Sequence, residues 1–407
     1  MERVQIRYNG GVAIDEVGQM DFSLSPEQQQ IRDEVRKLCL QFDDAYWLDK
    51  DRSGEFPHEL HAAVAAAGWL GIAMPEEYGG AGLGITEAAI MMQAIAESGA
   101  AMSGASAVHI NIFGLQPVVV FGTEEQKRRM LPPLIAGKDK ACFAVTEPNA
   151  GLDTTAIKVR AERRGDHYVL SGQKIWISTA QVANKILILA RTTPLESVKR
   201  KTEGLSLFYT DLDRSRVAIR VIDKMGRHAV DSNEMFFDGM GVPAADRIGG
   251  EGEGFRAILH GMNPERILIA AEAVGIGLAA LHKAARYARE RVVFRRPIGQ
   301  NQGIAHPLAR CWMNLEAANL MVMKAASLYD RNLDCAGEAN AAKYLAAEAA
   351  FEACETAVMT HGGMGYSKEF HVERYLREVM IPRIAPITPH MILNFIAEKV
   401  LGLPKSY

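Results

Sequence analysis

Three stretches of the chain differ in how their apolar residues are spaced. From residue 25 to about residue 137, apolar positions recur every three or four residues, as at Ile31, Val35 and Leu38, which predicts amphipathic helices. The first helix is predicted to begin at Ser25-Pro26, because serine is a favoured N-cap and proline a favoured first helical residue. The pair Pro132-Pro133 is predicted to close this helical region.

The apolar spacing then changes to simple alternation. Ile157, Val159 and Ala161 alternate with charged residues, and Arg164-Gly165-Asp166 is typical of a tight turn. Further strand-like runs lie at 143–146, 168–170, 174–177, 186–190, 205–210, 217–221 and 235–237. Short strands without intervening helices predict an antiparallel sheet rather than a series of parallel crossovers.

Helical spacing returns after the glycine-rich loop at 249–254. Asn263-Pro264-Glu265 predicts the start of a long apolar helix with Asn263 as its N-cap, and an alanine-rich helix is predicted over 339–359, ending at Gly362-Gly363. The order indicates an α+β protein with an N-terminal helical domain (20–138), a central antiparallel β domain (139–250) and a C-terminal helical domain (251–407). Residues 1–19 show no periodicity, and we expect a disordered extension.

Charge and cysteine content exclude several classes of protein. The 46 basic and 49 acidic residues give a net charge near −3 without a basic run, which argues against a nucleic-acid partner. The five cysteines form no CxxC pair, which predicts reduced thiols in a cytoplasmic protein, and no signal peptide is apparent at the N-terminus. The uncharged segment 98–123 holds too many glycines and polar residues for a membrane span, and we expect a buried helix there.

Isolated motifs carry little information about activity. Gly275 and Gly277 lie in a loose dinucleotide-binding pattern, but they fall inside a predicted helix, where close helix packing is the better explanation. HExxH and GxSxG are absent from the sequence, and the histidines lack metal-ligand spacing.

Two longer segments carry a family resemblance. FAVTEPNAGLD (143–153) and YVLSGQKIWIST (168–179) taken alone are a strand entering a turn and a half-buried strand. Together with KMG (224–226), FFD (236–238), RVVF (291–294) and HGGMGY (361–366), they closely resemble the signatures of the acyl-CoA dehydrogenase family. The resemblance covers nearly all of residues 20–407. It implies an N-terminal helical domain, a middle β domain and a C-terminal four-helix bundle, with FAD as cofactor, an acyl-CoA substrate and an electron-transfer flavoprotein as partner.

The resemblance also assigns cofactor-binding residues. Two segments are implied to flank the flavin ring, one of Phe143, Val145 and Thr146 and the other of Trp176, Ile177 and Ser178. A second set is implied to hold FAD of a neighbouring subunit, which implies a homotetramer built from two dimers: Arg291, Phe294, Gln302, Gly362 and Gly363. Met359, Thr388 and His390 are implied to be further cofactor-binding residues. Met359 departs from the Gln or acidic residue that relatives often carry, and Arg295 replaces a frequent glycine.

The substrate side departs from the family pattern in two places. Leu152, with Asn263 and Arg266, falls at an implied substrate-binding position, but Leu152 replaces a serine that contacts CoA in relatives. The loop that carries the catalytic Glu in many relatives corresponds here to residues 385–388, with Pro386 at the position of the carboxylate. Glu265 matches the alternative base position of the isovaleryl-CoA dehydrogenase branch, and we therefore predict that Glu265 is the base.

The predicted reaction is α,β-dehydrogenation of an acyl-CoA thioester to the trans-2-enoyl-CoA. Two alternatives stay open at this point. The same fold could serve as an acyl-CoA oxidase or reductase, or the protein could bind acyl-CoA without catalysis, since Pro386 cannot accept a proton. The small residues of segment 98–123 fit a roomy or branched acyl site, but they fit tight helix packing equally well.

Overall fold

A computed structural model of the protein describes residues 22–405, so the predicted extension at 1–19 lies outside the described residues. The N-terminal region is helical. Its helices are α1 (Pro26–Cys39), α2 (Asp44–Ser53), α3 (His58–Ala66), α4 (Ile85–Ile95), α5 (Ala101–Phe113), α6 (Gln116–Phe121) and α7 (Glu124–Ile135). The predicted start of α1 is confirmed: Ser25 caps it, and a capping box with Gln28 satisfies two backbone amides.

Two predictions for this region need correction. Helix α7 does not stop at the proline pair but continues through Pro132 and Pro133 to Ile135, and Gly137 then turns the chain with φ of 69°. The uncharged segment 98–123 is buried as predicted, yet it forms two helices rather than one. A π-helical turn at Ala96–Ala100 separates α4 from α5. Gly99 has φ 103° in this turn, a conformation that favours glycine.

The central region is a single eight-stranded sheet. Its strands are β1 (Ala141–Ala144), β2 (Arg160–Arg164), β3 (His167–Ser178), β4 (Lys185–Arg191), β5 (Leu205–Asp211), β6 (Val217–Val221), β7 (Ser232–Pro243) and β8 (Arg247–Ile248). The strand order is β6-β7-β3-β2-β4-β5-β8, and β1 pairs with β4.

The sheet is mostly but not wholly antiparallel, contrary to the prediction. Strand β1 runs parallel to β4 from Ala141 to Ala144, and β2 meets β4 in parallel at one residue pair. The runs predicted separately at 168–170 and 174–177 are one strand, β3, which pairs with β7 over its length. Alternation detects strands by their buried face, but the direction of pairing depends on the course of the loops, which the pattern does not contain.

The C-terminal region is built on three long helices, α9 (Met262–Glu290), α10 (Gln302–Asp330) and α11 (Ala336–His361). Short elements accompany them: α8 (Gly254–His260), a hairpin of β9 (Val292–Val293) and β10 (Arg296–Pro297), α12 (Val372–Glu378), α13 (Met380–Ile384), α14 (Pro389–Phe395) and a π-helical turn at Ile396–Val400. The elements from α12 to the π turn pack mainly against α11. The α+β prediction with a C-terminal helical bundle is thus confirmed.

Asn263 is not an N-cap, because α8 leads directly into α9. The Glu265 amide already bonds to the Gly261 carbonyl at 3.1 Å, so the helix begins upstream of the predicted start. The packing role of the helix glycines is confirmed. A Cβ on Gly275 would lie 2.5 Å from the Gln93 carbonyl oxygen of α4, which shows how closely α4 and α9 approach.

One apolar core joins α4 and α5 to the long helices α9, α10 and α11. The five cysteines are all buried and free. Three helical stretches among the described residues are long and apolar enough to cross a membrane by length and composition: Ile85–Phe121, Gly254–Glu290 and Val372–Val400. The apolar windows of the first two are largely buried inside the protein, whereas only 17% of the third is buried.

Candidate active site

The first predicted flavin-flanking segment leaves the sheet earlier than expected. Strand β1 ends at Ala144, so Val145 and Thr146 belong to the turn that follows it. The Thr146 carbonyl accepts a hydrogen bond from the Ile175 amide at 3.0 Å, which ties this turn to strand β3. The two predicted flavin segments are therefore neighbours in space.

A buried ion pair holds the turn in place. Lys174 Nζ donates to the Val145 carbonyl at 2.7 Å and to Glu147 Oε1 at 3.0 Å. The Glu147 carboxylate also accepts from the Lys158 and Val159 amides, at 2.6 and 2.9 Å. Burial lowers the pKa of Lys174 to about 8, and the Glu147 charge opposes that shift. With all its polar atoms engaged, this pair has a positioning role.

Trp176 is pushed out of the sheet by a bulge. The register of β3 against β7 shifts between Lys174 and Ile177, and Trp176 adopts φ 62°, an unusual conformation for a large side chain. As a result the indole is 56% exposed, while Ile177 is buried and its carbonyl accepts from the Asn233 side chain. Backbone strain of this kind is often kept where a side chain must be aimed at a ligand.

Ser178 ends strand β3 and contacts an arginine that the sequence analysis did not single out. Arg227 Nη2 donates to Ser178 Oγ at 2.9 Å and to Ser232 Oγ at 3.0 Å. Its Nη1 donates to Ser106 Oγ of α5 at 3.1 Å. Arg227 thus joins the second flavin segment to helix α5.

Glu265 lies in the first turn of α9, partly buried. Among residues 22–405, its carboxylate has no hydrogen-bond or salt-bridge partner. Burial raises the pKa of Glu265 to about 7, against the opposing effect of the charges on His109 and Arg266. A carboxyl group in this state can both accept and release a proton near neutral pH.

A histidine connects Glu265 to the flavin segments. His109 Nδ1 on α5 lies 2.5 Å from Oε1 of Glu272, which is fully buried on α9 two turns after Glu265. Burial lowers the pKa of His109, but the charges of Glu272 and Glu265 outweigh it, and the pKa is raised overall. The imidazole packs 4.8 Å from the Phe113 ring, which in turn lies 5.5 Å from Phe143. The predicted base and strand β1 are therefore parts of one site.

The second set of predicted cofactor residues lies elsewhere in the chain. Arg291 follows the last residue of α9, so it is 26 residues from Glu265, or about 39 Å at 1.5 Å per residue. His361 at the end of α11 stacks on Tyr287 at 4.3 Å, which places Gly362 at the same end of the bundle. The structure brings together at this far end Arg291, Phe294, Gln302, Met359, Gly362 and Gly363.

Large apolar side chains at this far end are exposed. Phe294 is 94% exposed and Met359 is 74% exposed. Phe294 and Arg295 both have positive φ, of 52° and 67°, in the two-residue turn of the β9–β10 hairpin. That turn favours a glycine, so the arginine at 295 is accommodated in a strained position. Exposed aromatic residues on a rigid turn indicate a contact surface.

Thr388 and His390 lie in a third segment, at the start of α14. Lys343 of α11 donates to the Ile387 carbonyl at 2.6 Å. Burial lowers the pKa of Lys343 to about 8, and the charges of Glu348 and Glu265 oppose that shift. Thr388 caps α14, and His390 is exposed in the first turn of that helix. The loop with Pro386 is thus held by a lysine on which the Glu265 charge acts.

The predicted substrate residues take separate positions. Leu152 is exposed in the turn after β1. Asn263 Oδ1 accepts from Arg266 Nη1 at 3.0 Å, and Arg266 Nε is buried without a partner among the described residues. Asn263 and Arg266 therefore lie on α9 next to Glu265.

Family profiles match most of the chain. The acyl-CoA dehydrogenase N-terminal, middle and C-terminal domain profiles match residues 25–138, 142–240 and 252–401. The chain belongs to the acyl-CoA dehydrogenase family. It is 38% identical over 391 residues to the acyl-CoA dehydrogenase FadE12 of Mycobacterium tuberculosis, covering 95% of this chain and 99% of that protein.

Two further relatives of this chain are named after reactions of CoA thioesters. The structure of butyryl-CoA dehydrogenase from Megasphaera elsdenii matches with a TM-score of 0.89 and 30% identity, covering 94% of this chain and all of that one. Subunit CarC of the caffeyl-CoA reductase-Etf complex of Acetobacterium woodii is 35% identical, over 85% of this chain and 92% of that protein.

Members of the acyl-CoA dehydrogenase family are FAD-dependent oxidoreductases, and this protein is one of them. Its residues fit the cofactor. The exposed indole of Trp176 offers a flat apolar surface for a flavin ring, and the Ser178 hydroxyl beside it can donate to a ring atom.

Sequence reasoning missed four residues of this acyl-CoA dehydrogenase site: His109, Arg227, Glu272 and Lys343. Glu272 gave a usable signal, because it is the one charge in the otherwise apolar stretch 267–281. In the sequence His109 is only one of several polar residues within segment 98–123. Arg227 and Lys343 give no signal, since only folding shows that Arg227 is partly buried and Lys343 fully buried.

Proposed function

We propose that Glu265 is the catalytic base of this acyl-CoA dehydrogenase and that the substrate is converted to its trans-2-enoyl-CoA. The observation that carries this proposal is the unpartnered Glu265 carboxyl, whose raised pKa of about 7 matches the task of a general base. Its connection through His109 and Phe113 to strand β1 supports a position facing the cofactor. Pro386, in the loop that Lys343 holds, cannot take that role.

The residues around Glu265 account for its state. The α C–H bond of a thioester breaks as its proton passes to the Glu265 carboxylate, while the pair of electrons left on carbon forms the new double bond. When bound, FAD supplies the acceptor for the hydride that leaves the β carbon. His109 and Arg266 keep part of the Glu265 population ionised, because their charges oppose the effect of burial.

We also propose that Trp176 covers a face of the flavin. Replacing it by alanine is expected to shift the visible flavin spectrum and to weaken FAD binding about tenfold, since stacking on an aromatic face contributes roughly 0.5–1.5 kcal/mol beyond burial. Absorption spectra and FAD titration of the apoprotein measure both effects. Trp312→Ala, at a half-exposed tryptophan on α10, is the matched control. An unchanged spectrum and affinity in Trp176→Ala would show that the indole does not contact the flavin.

We further propose an electron-transfer flavoprotein as acceptor, a homotetramer as assembly and the cytoplasm as location. The similarity to a subunit of a reductase-Etf complex supports the acceptor. The poorly buried apolar stretch Val372–Val400 and the exposed Phe294 and Met359 support an assembly that covers them. Five buried free thiols support a reducing compartment.

Reduction of an enoyl-CoA by the same site is a second candidate, favoured by the named reductase among the relatives. Anaerobic titration of the FAD-loaded protein with acyl-CoA thioesters separates the candidates. Loss of the flavin absorbance near 450 nm is expected for a dehydrogenase. A bound ligand without bleaching would contradict dehydrogenation and favour a binding protein, and peroxide release under air would identify an oxidase.

A further inference from the structure

Arg227 is an arginine without an anionic partner. Among residues 22–405, no carboxylate lies within salt-bridge distance of its guanidinium, and its bonds go only to the hydroxyls of Ser106, Ser178 and Ser232. Its Nε is buried without a partner. A partly buried charge that lacks a counter-ion is costly unless a ligand supplies one.

The surroundings of Arg227 have more donors than acceptors. A guanidinium only donates, so each of the three serine oxygens accepts from it and keeps its own O–H to donate. The described residues offer no acceptor to these hydroxyl hydrogens. His109 lies one turn after Ser106 on α5, and its Nε2 is buried without a partner. Such a cluster is suited to a group with several acceptor oxygens.

Two other interior arginines have partners in the protein that Arg227 lacks. Arg191 donates to four backbone carbonyls. Arg374 donates to the Glu378 carboxylate at 3.1 Å, although its Nε, too, is buried without a partner. The carboxylates that act on Arg227 electrostatically already have partners of their own. These pairs are Glu378 with Arg374, Asp231 with Asn233, and Glu272 with His109.

The position of Arg227 identifies the side of the site that its ligand would occupy. It links Ser178, in the predicted flavin segment, to α5, the helix that also carries His109 toward Glu265. A group held here would lie between the second flavin segment and α5. We propose that Arg227, with Ser106, binds a carboxylate on the acyl group, so that the preferred substrate is the CoA monothioester of a dicarboxylic acid. This inference rests on the proposed function of the site.

The test compares thioesters that differ only in the far end of the acyl chain. Succinyl-, glutaryl- and adipyl-CoA are matched with butyryl-, valeryl- and hexanoyl-CoA, and half-saturation is measured by anaerobic titration of the FAD-loaded enzyme. In at least one pair the dicarboxylic member is expected to bind about ten- to a hundredfold more tightly, as for a charge-assisted hydrogen bond. Tighter binding of the methyl-ended member in every pair would overturn the proposal.

Variants of Arg227 separate recognition from structure. Arg227→Met is expected to abolish the preference for the carboxylate, Arg227→Lys to keep part of it, and the exposed Arg216→Met to leave it unchanged. If Arg227→Met does not fold, the preference of the wild type and of Arg227→Lys for the dicarboxylic thioesters still tests the proposal. An altered flavin reduction potential with an unchanged preference would overturn the proposal and assign Arg227 to the charge of the reduced flavin. Tight dicarboxylic binding without bleaching would contradict the proposed dehydrogenation but leave this inference standing.

Discussion

Glu265→Gln is expected to retain FAD and acyl-CoA and to lose most of its dehydrogenation. A general base contributes typically about 10²–10⁴ in rate, and we expect a loss of flavin bleaching in that range or beyond it. The change is nearly isosteric, and the glutamate makes no hydrogen bond that the amide would break among the described residues. Stopped-flow measurement of bleaching at 450 nm, with ligand binding measured separately, checks this result.

Glu290→Gln is the matched control, since Glu290 is an exposed residue at the other end of the same helix. It is expected to bleach at the wild-type rate. Normal bleaching in Glu265→Gln would show that another group accepts the proton. Glu147, Glu272 and Glu378 are other acidic candidates, but the structure engages all three. Their partners are Lys174 for Glu147, His109 for Glu272, and Arg374 and Ser103 for Glu378.

The pH dependence gives an independent check on Glu265. Because the base must be ionised, the bleaching rate is expected to rise with pH through about 7. The raised folded-state pKa also means that the folded protein binds this proton more tightly than the unfolded chain, so its stabilising effect is complete below pH 4.5 and is lost as pH rises through 7. Glu265→Gln is therefore expected to gain thermal stability relative to wild type at pH 8 and not at pH 4.5.

Arg291→Ala is expected to yield a folded but largely colourless protein. Arg291 and Glu265 are about 39 Å apart along one helix, so Arg291 cannot approach a flavin that lies next to the base of its own chain. It can serve FAD only across an interface between copies, where its planar donors would hold phosphate oxygens. Losing that contact is expected to weaken FAD binding at least tenfold, as measured by flavin content and titration.

The neighbouring Arg289→Ala is the matched control, because Arg289 is also exposed at the end of α9. It is expected to keep its FAD. Phe294→Ser should weaken both assembly and FAD content together, since Phe294 projects from the same hairpin. Full FAD occupancy in a monomeric form, measured by light scattering and absorbance, would refute the shared site.

Much of the site could be predicted from the sequence, because many of its residues lie in contiguous segments. The segments 143–153 and 168–179 carry enough specific positions to identify the family, and the structure joins them by the hydrogen bond from the Ile175 amide to the Thr146 carbonyl. The sequence also shows that Pro386 replaces the catalytic Glu of many relatives, and this replacement is the reason to predict Glu265 as the base. The interpretation of Asn263 as a cap is wrong, because α8 leads directly into α9 and the Gly261 carbonyl already accepts a helical hydrogen bond from the Glu265 amide.

The sequence by itself determined the order of helical and β regions, the buried helix glycines and the family signatures, because these depend on local periodicity and short motifs. Only the tertiary structure decided which charges lie inside and what faces them. Burial raises the pKa of Glu265 against the charges of His109 and Arg266, Glu272 pairs with His109, and Arg227 lies among hydroxyls. These residues come from separate parts of the chain. The electrostatic state of each group depends on distances and solvent exclusion, which exist only once those parts have packed together.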